Sequence, residues 1–169
     1  MTLNFYAQPY DISANGFYFS SFENYNKQAA VLKNDYGDPV EEFEIQFIDG
    51  EMIDCELAKA WEINQANLIG FFDAASDWDD NQKTRYILAV GECGYNHDQV
   101  KDDPTNIEID IYELDSLKQL AAQFVEEGLF GEIPERIQFY LDIDLIARDL
   151  GFDYTETNIA GTNLLYRCG

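Results

Sequence analysis

The sequence predicts an α+β protein built as an elongated chain of small lobes, and three observations carry that expectation. Strictly alternating segments, Glu42-Phe43-Glu44-Ile45-Gln46-Phe47 and Asn106-Ile107-Glu108-Ile109-Asp110-Ile111-Tyr112, have the period of half-buried strands and lie on either side of a helical middle. Residues 54–75 space Leu57, Trp61, Leu68, Phe71 and Phe72 in a helical rhythm, and a further helix is expected through about Val90. A polar, acidic stretch from Asp98 to Asn106, containing Pro104, marks a boundary between lobes. The expected division is an N-terminal α/β lobe at 1–52, a mainly helical middle lobe at 53–104 and a C-terminal α+β lobe at 105–169.

Taken in order, residues 3–8 and 16–22 alternate aromatic and polar positions across a turn-like Asp11-Ile12-Ser13-Ala14-Asn15-Gly16, which predicts a hairpin or two neighbouring strands. Residues 23–34 suit a short helix, stopped by Asp35-Tyr36-Gly37-Asp38-Pro39. The 42–47 strand follows, with Phe43, Ile45 and Phe47 on its buried face, and these pieces form a small antiparallel sheet with one helix. Residues 54–75 read as helical, and Asp77-Trp78-Asp79-Asp80-Asn81 offers caps for another helix reaching about Val90. Beyond the second alternating strand, Asp115 or Ser116 caps a helix to Glu127. Pro134 then sits at a favoured first-turn position for a helix reaching Leu150, with Ile137, Tyr140, Leu141, Leu145 and Leu150 facing in and Gly151 closing it. Residues 152–157 and 163–168 complete the chain as a hairpin around Ala160-Gly161.

Charge is the dominant feature. Thirty-three Asp and Glu face ten Lys and Arg, a formal net charge of −23. The excess is spread along the chain, so the folded body itself is acidic rather than a tail attached to it. A compact chain of this length is about 40 Å across, and duplex DNA carries one charge per ~1.7 Å, so ~40 Å of duplex holds about as many charges. Disorder is excluded by the 46% hydrophobic and 15% aromatic content, which is enough to build a core. Direct binding to nucleic acid or to an anionic membrane is excluded by the same charge, and the natural partner is a basic surface. No apolar run approaches the length of a membrane span, and the N-terminus lacks the basic start and apolar run of a signal peptide, so a cytoplasmic protein is expected. Cys55, Cys93 and Cys168 fit no disulfide framework and no metal pattern, which predicts three reduced thiols.

The search for catalytic equipment returns nothing. His97 is the single histidine and sits in a polar Asn-His-Asp loop, where a solvated side chain is expected. Asp77-x-Asp79-x-Asn81 opens like a calcium loop, but Gln82 stands where that loop needs Gly and Leu88 where it needs Glu, so a helix start is the better reading. No nucleophile motif, phosphate loop or dinucleotide motif occurs. The expectation is therefore a protein that is not an enzyme and uses no cofactor and no metal.

The carboxylates themselves remain. Residues four apart on a helix rise ~6 Å and residues two apart on a strand ~6.6 Å, comparable with two nucleotides of rise along one DNA strand. Glu42 and Glu44, and Glu108 and Asp110, have the strand spacing. Asp77, Asp79 and Asp80 cluster at a helix start, and Glu126, Glu127, Glu132, Glu135, Asp142 and Asp149 lie on and near the last helices. These thirteen residues are the candidate phosphate-mimicking, partner-binding set.

In the C-terminal third, Phe124-Val125-Glu126-Glu127-Gly128-Leu129-Phe130-Gly131-Glu132-Ile133-Pro134 is a helix end followed by Gly-Glu-Ile-Pro, and it resembles the helix end and Gly-Glu-(Val/Ile)-Pro of the ArdA antirestriction family. Tyr140-Leu141-Asp142 and Ala147-Arg148-Asp149-Leu150 resemble its following segments, while Phe5-Tyr6-Ala7 and Glu41-Glu42-Phe43-Glu44-Ile45 resemble its N-terminal strands more loosely. Residues 52–105 show no such likeness. The resemblance implies a DNA mimic of three small lobes that forms a homodimer. It further implies occupation of the DNA groove of type I restriction-modification enzymes, at the methyltransferase core and its specificity subunit. Restriction would be inhibited, with modification as an open extension. Such proteins travel on conjugative elements, plasmids or phage. The alternatives are a mimic aimed at another basic target, such as a CRISPR effector or a nucleoid protein, and an acidic or halophilic cytosolic protein whose charge serves solubility.

Overall fold

The computed structural model describes residues 2–169. The protein is α+β, with a three-stranded antiparallel sheet at the start, helices in the middle and a second three-stranded antiparallel sheet with helices at the end. It divides into two compact units that part between Ile107 and Glu108.

In the first unit, β1 (Asn4–Pro9), β2 (Phe17–Phe19) and β3 (Phe43–Asp49) pair in the order β2-β1-β3. The register sets Phe5 opposite both Phe19 and Phe47, and Ala7 opposite both Phe17 and Ile45. Period two therefore collects the aromatic residues on one face. Gly16 enters β2 so close to β1 that a Cβ there would stand 2.4 Å from the Ala7 carbonyl oxygen, which leaves room for glycine only. Ser21 accepts the Asn24 N–H and caps α1 (Phe22–Ala29).

The helices of this unit are α2 (Met52–Trp61), α3 (Leu68–Asp77), α4 (Asp80–Gly91) and the short α5 (His97–Val100), followed by a 3₁₀ turn at Pro104–Asn106. The division expected between residues 52 and 53 does not separate two compact bodies. Phe5 of the sheet stacks on Phe19 and meets Phe71 and Phe72 of α3 edge-on, at 5.7 and 5.3 Å between ring centres, so sheet and helices share one core. The helical stretch expected over 54–75 is also two helices. Glu62 turns left-handed, and the side chains of Asn64 and Asn67 take over backbone partners: Asn67 Oδ1 accepts the Asn64 N–H, and Asn67 Nδ2 donates to the Trp61 carbonyl. Apolar spacing continues through the break, which is why the pattern alone read across it.

The second unit contains β4 (Ile109–Tyr112), α6 (Leu117–Glu126), α7 (Glu135–Gln138), α8 (Ile143–Leu150), β5 (Thr155–Ile159) and β6 (Thr162–Cys168), with strand order β4-β6-β5. Its core joins Leu120, Phe124, Tyr154 and Leu165, flanked by Tyr112, Leu114, Leu117 and Leu150. The β5–β6 hairpin turns through Ala160 and Gly161, both at positive φ (50° and 86°), the two-residue turn that matches strand twist. The single helix expected from Pro134 to Leu150 is divided. Asp142 accepts the Leu145 N–H as an N-cap, so α8 starts anew, and Ile137, Tyr140 and Leu145, expected inside, are exposed.

Cys55 is a free thiol on α2, whereas Cys93 and Cys168 are not free, so the expectation of three reduced thiols holds for Cys55 alone. Among the described residues no helix is long and apolar enough to cross a membrane.

Candidate functional site

Folding leaves the carboxylates outside. Among the described residues, all the acids except Asp11, Asp54, Glu56 and Asp103 are exposed. Residues 1–107 hold twenty acids and six bases, and residues 108–169 hold thirteen and four, so the two units carry formal charges of −14 and −9. Neither unit is a neutral support for the other.

Glu42 and Glu44 flank Phe43 at the start of β3, an edge strand, and both are exposed while Phe43 and Ile45 are buried. The backbone here is pinned by Gln65, whose Oε1 accepts the Phe43 N–H at 2.8 Å and whose Nε2 donates to the Glu41 carbonyl at 2.9 Å. Neighbouring carboxylates are thus held on a fixed backbone, which reduces the ordering entropy lost on binding a partner.

Asp77 ends α3, and Asp79 and Asp80 begin α4. Asp79 accepts the Gln82 N–H at 2.8 Å while the Gln82 side chain accepts the Asp79 N–H at 3.0 Å. This reciprocal cap bears out the sequence reading of a helix start in place of a calcium loop. Asp11 and Asp103 are also turn builders. Asp11 accepts from the Ser13 hydroxyl and N–H and from Asn34, and the Ser13 hydroxyl first, then Asn34, holds its carboxyl below the usual carboxylate range. Some of the acidity therefore maintains local structure.

In the second unit, Glu108 stands beside β4 and Asp110 on it, and Asp110 is engaged: it lies opposite Arg167 in register and forms an ion pair with it, while the guanidinium rests over the Tyr154 ring. Asp149 has a looser contact of 3.3 Å with Arg148, and Asp142 is the α8 cap described above. Glu126, Glu127 and Glu132 are brought together around one concave groove of about 760 Å³, floored by Val125, Ile133 and Leu141, whereas Glu135 opens α7 outside it. Beside them Leu129, Phe130, Ile137, Phe139 and Tyr140 are exposed. That apolar exposure was not legible in the sequence, because Ile137 and Tyr140 fitted the inward face of one helix that is in fact divided.

His97 departs from the solvated side chain expected of its loop. Its ring is half-buried, meets Trp61 edge-on at 4.5 Å between ring centres, and places Nδ1 2.8 Å from the Tyr86 hydroxyl. Burial pushes its pKa below the ordinary value, against the neighbouring Asp98 carboxylate, which raises it. The same burial pushes the Tyr86 phenol well above its ordinary range. A histidine with a lowered pKa stabilises the fold above its unfolded value of ~6.5, and that contribution is lost as pH falls toward the folded value. The imidazole should accordingly titrate below ~6.5 by NMR. Between pH 7 and pH 5, wild type should lose stability relative to His97→Gln in urea unfolding.

A comparison with known protein families finds no family model that matches the chain, and a comparison with characterised proteins finds no matching sequence.

Proposed function

We propose that this protein is a DNA mimic, not an enzyme, that occupies the DNA-binding groove of type I restriction-modification enzymes in the bacterial cytoplasm and inhibits restriction. The observation that carries this reading is the placement of the charge. Nearly every carboxylate is exposed, both folded units are strongly negative, and the acids sit on strands, helix ends and capped turns. A groove built for DNA gains much of its affinity from phosphate neutralisation. A fixed array of carboxylates engages the same lysines and arginines without offering a scissile bond.

Base contacts specify sequence while phosphate contacts position the duplex. Such a mimic therefore acts on enzymes with different recognition sequences. Homodimerisation belongs to the same proposal. Two chains of −23 repel each other, and the exposed Leu129, Phe130, Phe139 and Tyr140 offer an apolar surface through which repulsion can be overcome.

The test is restriction of unmodified phage in cells that carry a type I system. Expression of the protein should raise plating efficiency by at least tenfold, and a variant with Glu126, Glu127, Glu132 and Glu135 reversed to Lys should not. Unchanged restriction with the wild-type protein present at high level would contradict the proposal.

A further inference from the structure

The first unit contains a hollow of about 340 Å³ whose lining combines aromatic rings with carboxylates. Its wall is aromatic: Trp61, Trp78 and His97 line it, with Trp61 and Trp78 at 5.8 Å between ring centres and His97 edge-on to Trp61. Its rim is anionic: Asp73 and Asp77, one turn apart on α3, and Asp102 all border it and all are exposed. Lys101 is the one cation in the lining, and its ammonium is held by Asp98 at 2.7 Å.

The hollow is kept open by its helix. Gly70 stands inside α3 and lines the hollow, and a Cβ there would come within 3.3 Å of the Trp61 ring. Glycine in a helix interior is less favourable than alanine, and here it keeps a Cβ off the edge of the Trp61 ring, which is itself only 4% exposed. The rings are also fixed in place. The Trp61 indole N–H donates to the Asn67 carbonyl at 3.2 Å, and Tyr86 packs against both tryptophans at 4.8 and 5.5 Å between ring centres.

We propose that this hollow is a socket for the cationic side chain of a basic protein partner, arginine above all. A cation against the partly exposed Trp78 indole, which Trp61 backs, gains cation–π attraction that strengthens as water is excluded. The flat guanidinium adds what an ammonium lacks, a face that stacks on an indole and a fork of N–H donors for two carboxylates. The socket gives the acidic surface an anchor that a phosphate backbone does not have. One arginine of the partner is thereby held more tightly than charge attraction alone would hold it. The identity of the partner rests on the DNA-mimic reading, whereas the chemistry of the socket does not.

The chain has two tryptophans, so two indole N–H signals in a ¹⁵N spectrum of the full-length protein report on the socket directly. N-acetyl-arginine N-methylamide should shift them saturably, and the neutral citrulline counterpart should not. Asp73→Asn with Asp77→Asn should weaken arginine binding at least threefold, while the charge-matched Asp35→Asn with Asp38→Asn, away from the hollow, should leave it unchanged. Equal shifts with citrulline, or equal weakening by both charge pairs, would overturn the socket. Choline moving the same signals at lower concentration than the arginine probe would reassign it to a quaternary ammonium and overturn the arginine assignment. Restriction inhibition that persists in a protein failing the arginine test would sink the socket and leave mimicry standing. Arginine binding in a protein that inhibits no DNA-binding enzyme would do the reverse.

Discussion

Replacing Lys83 by Met is expected to cost about 3–5 kcal/mol of stability, measured by urea unfolding at neutral pH. Lys83 on α4 places its ammonium 2.7 Å from the Asp54 carboxylate on α2, and the two side chains are only 8% and 9% exposed. The pair by itself adds little net stability, because removing both ions from water offsets most of their attraction. Breaking it is a different matter: the variant would leave Asp54 charged, buried and without its counter-ion between two packed helices. The double variant Asp54→Leu with Lys83→Met should recover most of the loss, since two apolar side chains of similar size need no desolvation. A loss below about 1 kcal/mol in the single variant would show that water reaches Asp54 and that the pair does not lock α2 to α4. The more exposed ion pairs carry no comparable expectation. Lys27–Glu23, Lys101–Asp98, Lys118–Asp144, Arg148–Asp149 and Arg167–Asp110 are exposed to differing degrees, so water screens their attraction and each adds little.

Changing Glu126, Glu127, Glu132 and Glu135 together to Gln is expected to weaken inhibition of a type I enzyme by roughly a hundredfold at low salt. Four lost charge contacts at ~0.7 kcal/mol each amount to about 2.8 kcal/mol, and each 1.4 kcal/mol is a factor of ten in affinity. None of the four holds the core together. Glu126 ends α6, Glu127 accepts a hydrogen bond from Gln123, Glu132 lies in the connecting loop and Glu135 starts α7. With fewer like charges on the second unit, the melting temperature should rise slightly or hold. A lost function with a fallen melting temperature would mean that the variant acts through the fold, and the measurement of both keeps the two explanations apart. Unchanged inhibition would place the partner surface elsewhere.

The strands were the most legible part of the sequence. Period-two alternation in 42–47 and 106–112 located β3 and β4 because each sheet buries one face, so Phe43, Ile45 and Ile109 go in while Glu44 and Asp110 stay out. Capping residues were equally readable: Asp79 before α4 and Ser116 before α6 act as expected. Helix ends inside apolar patterns were not. Asn64 and Asn67 interrupt one run and Asp142 another by hydrogen-bonding to backbone, and neither interruption disturbs the spacing of Leu, Ile and Phe that signals a helix. The candidate set was legible as exposed acids but not as a geometry. Which acids also pair with bases depends on cross-strand register, as between Asp110 and Arg167, and sequence spacing does not carry it. The aromatic hollow escaped for the same reason. Asp73 and Asp77 share a helix face at a four-residue spacing that the sequence displays, but Trp61, Trp78 and His97 come together only through packing of α2, the end of α3 and α5. His97 in a polar loop gave no signal of the Tyr86 hydroxyl that meets it.

The most direct measurement of mimicry is competition for DNA. Purified protein is titrated into two type I enzymes of different recognition sequence, each bound to its own labelled duplex, at 50 and 200 mM salt. The account predicts displacement of both duplexes at similar concentrations at low salt, and a loss of at least tenfold in potency at the higher salt, as expected of contacts made through fixed charges. Duplexes that stay bound at low salt under an excess of protein would contradict it, and so would displacement that ignores salt.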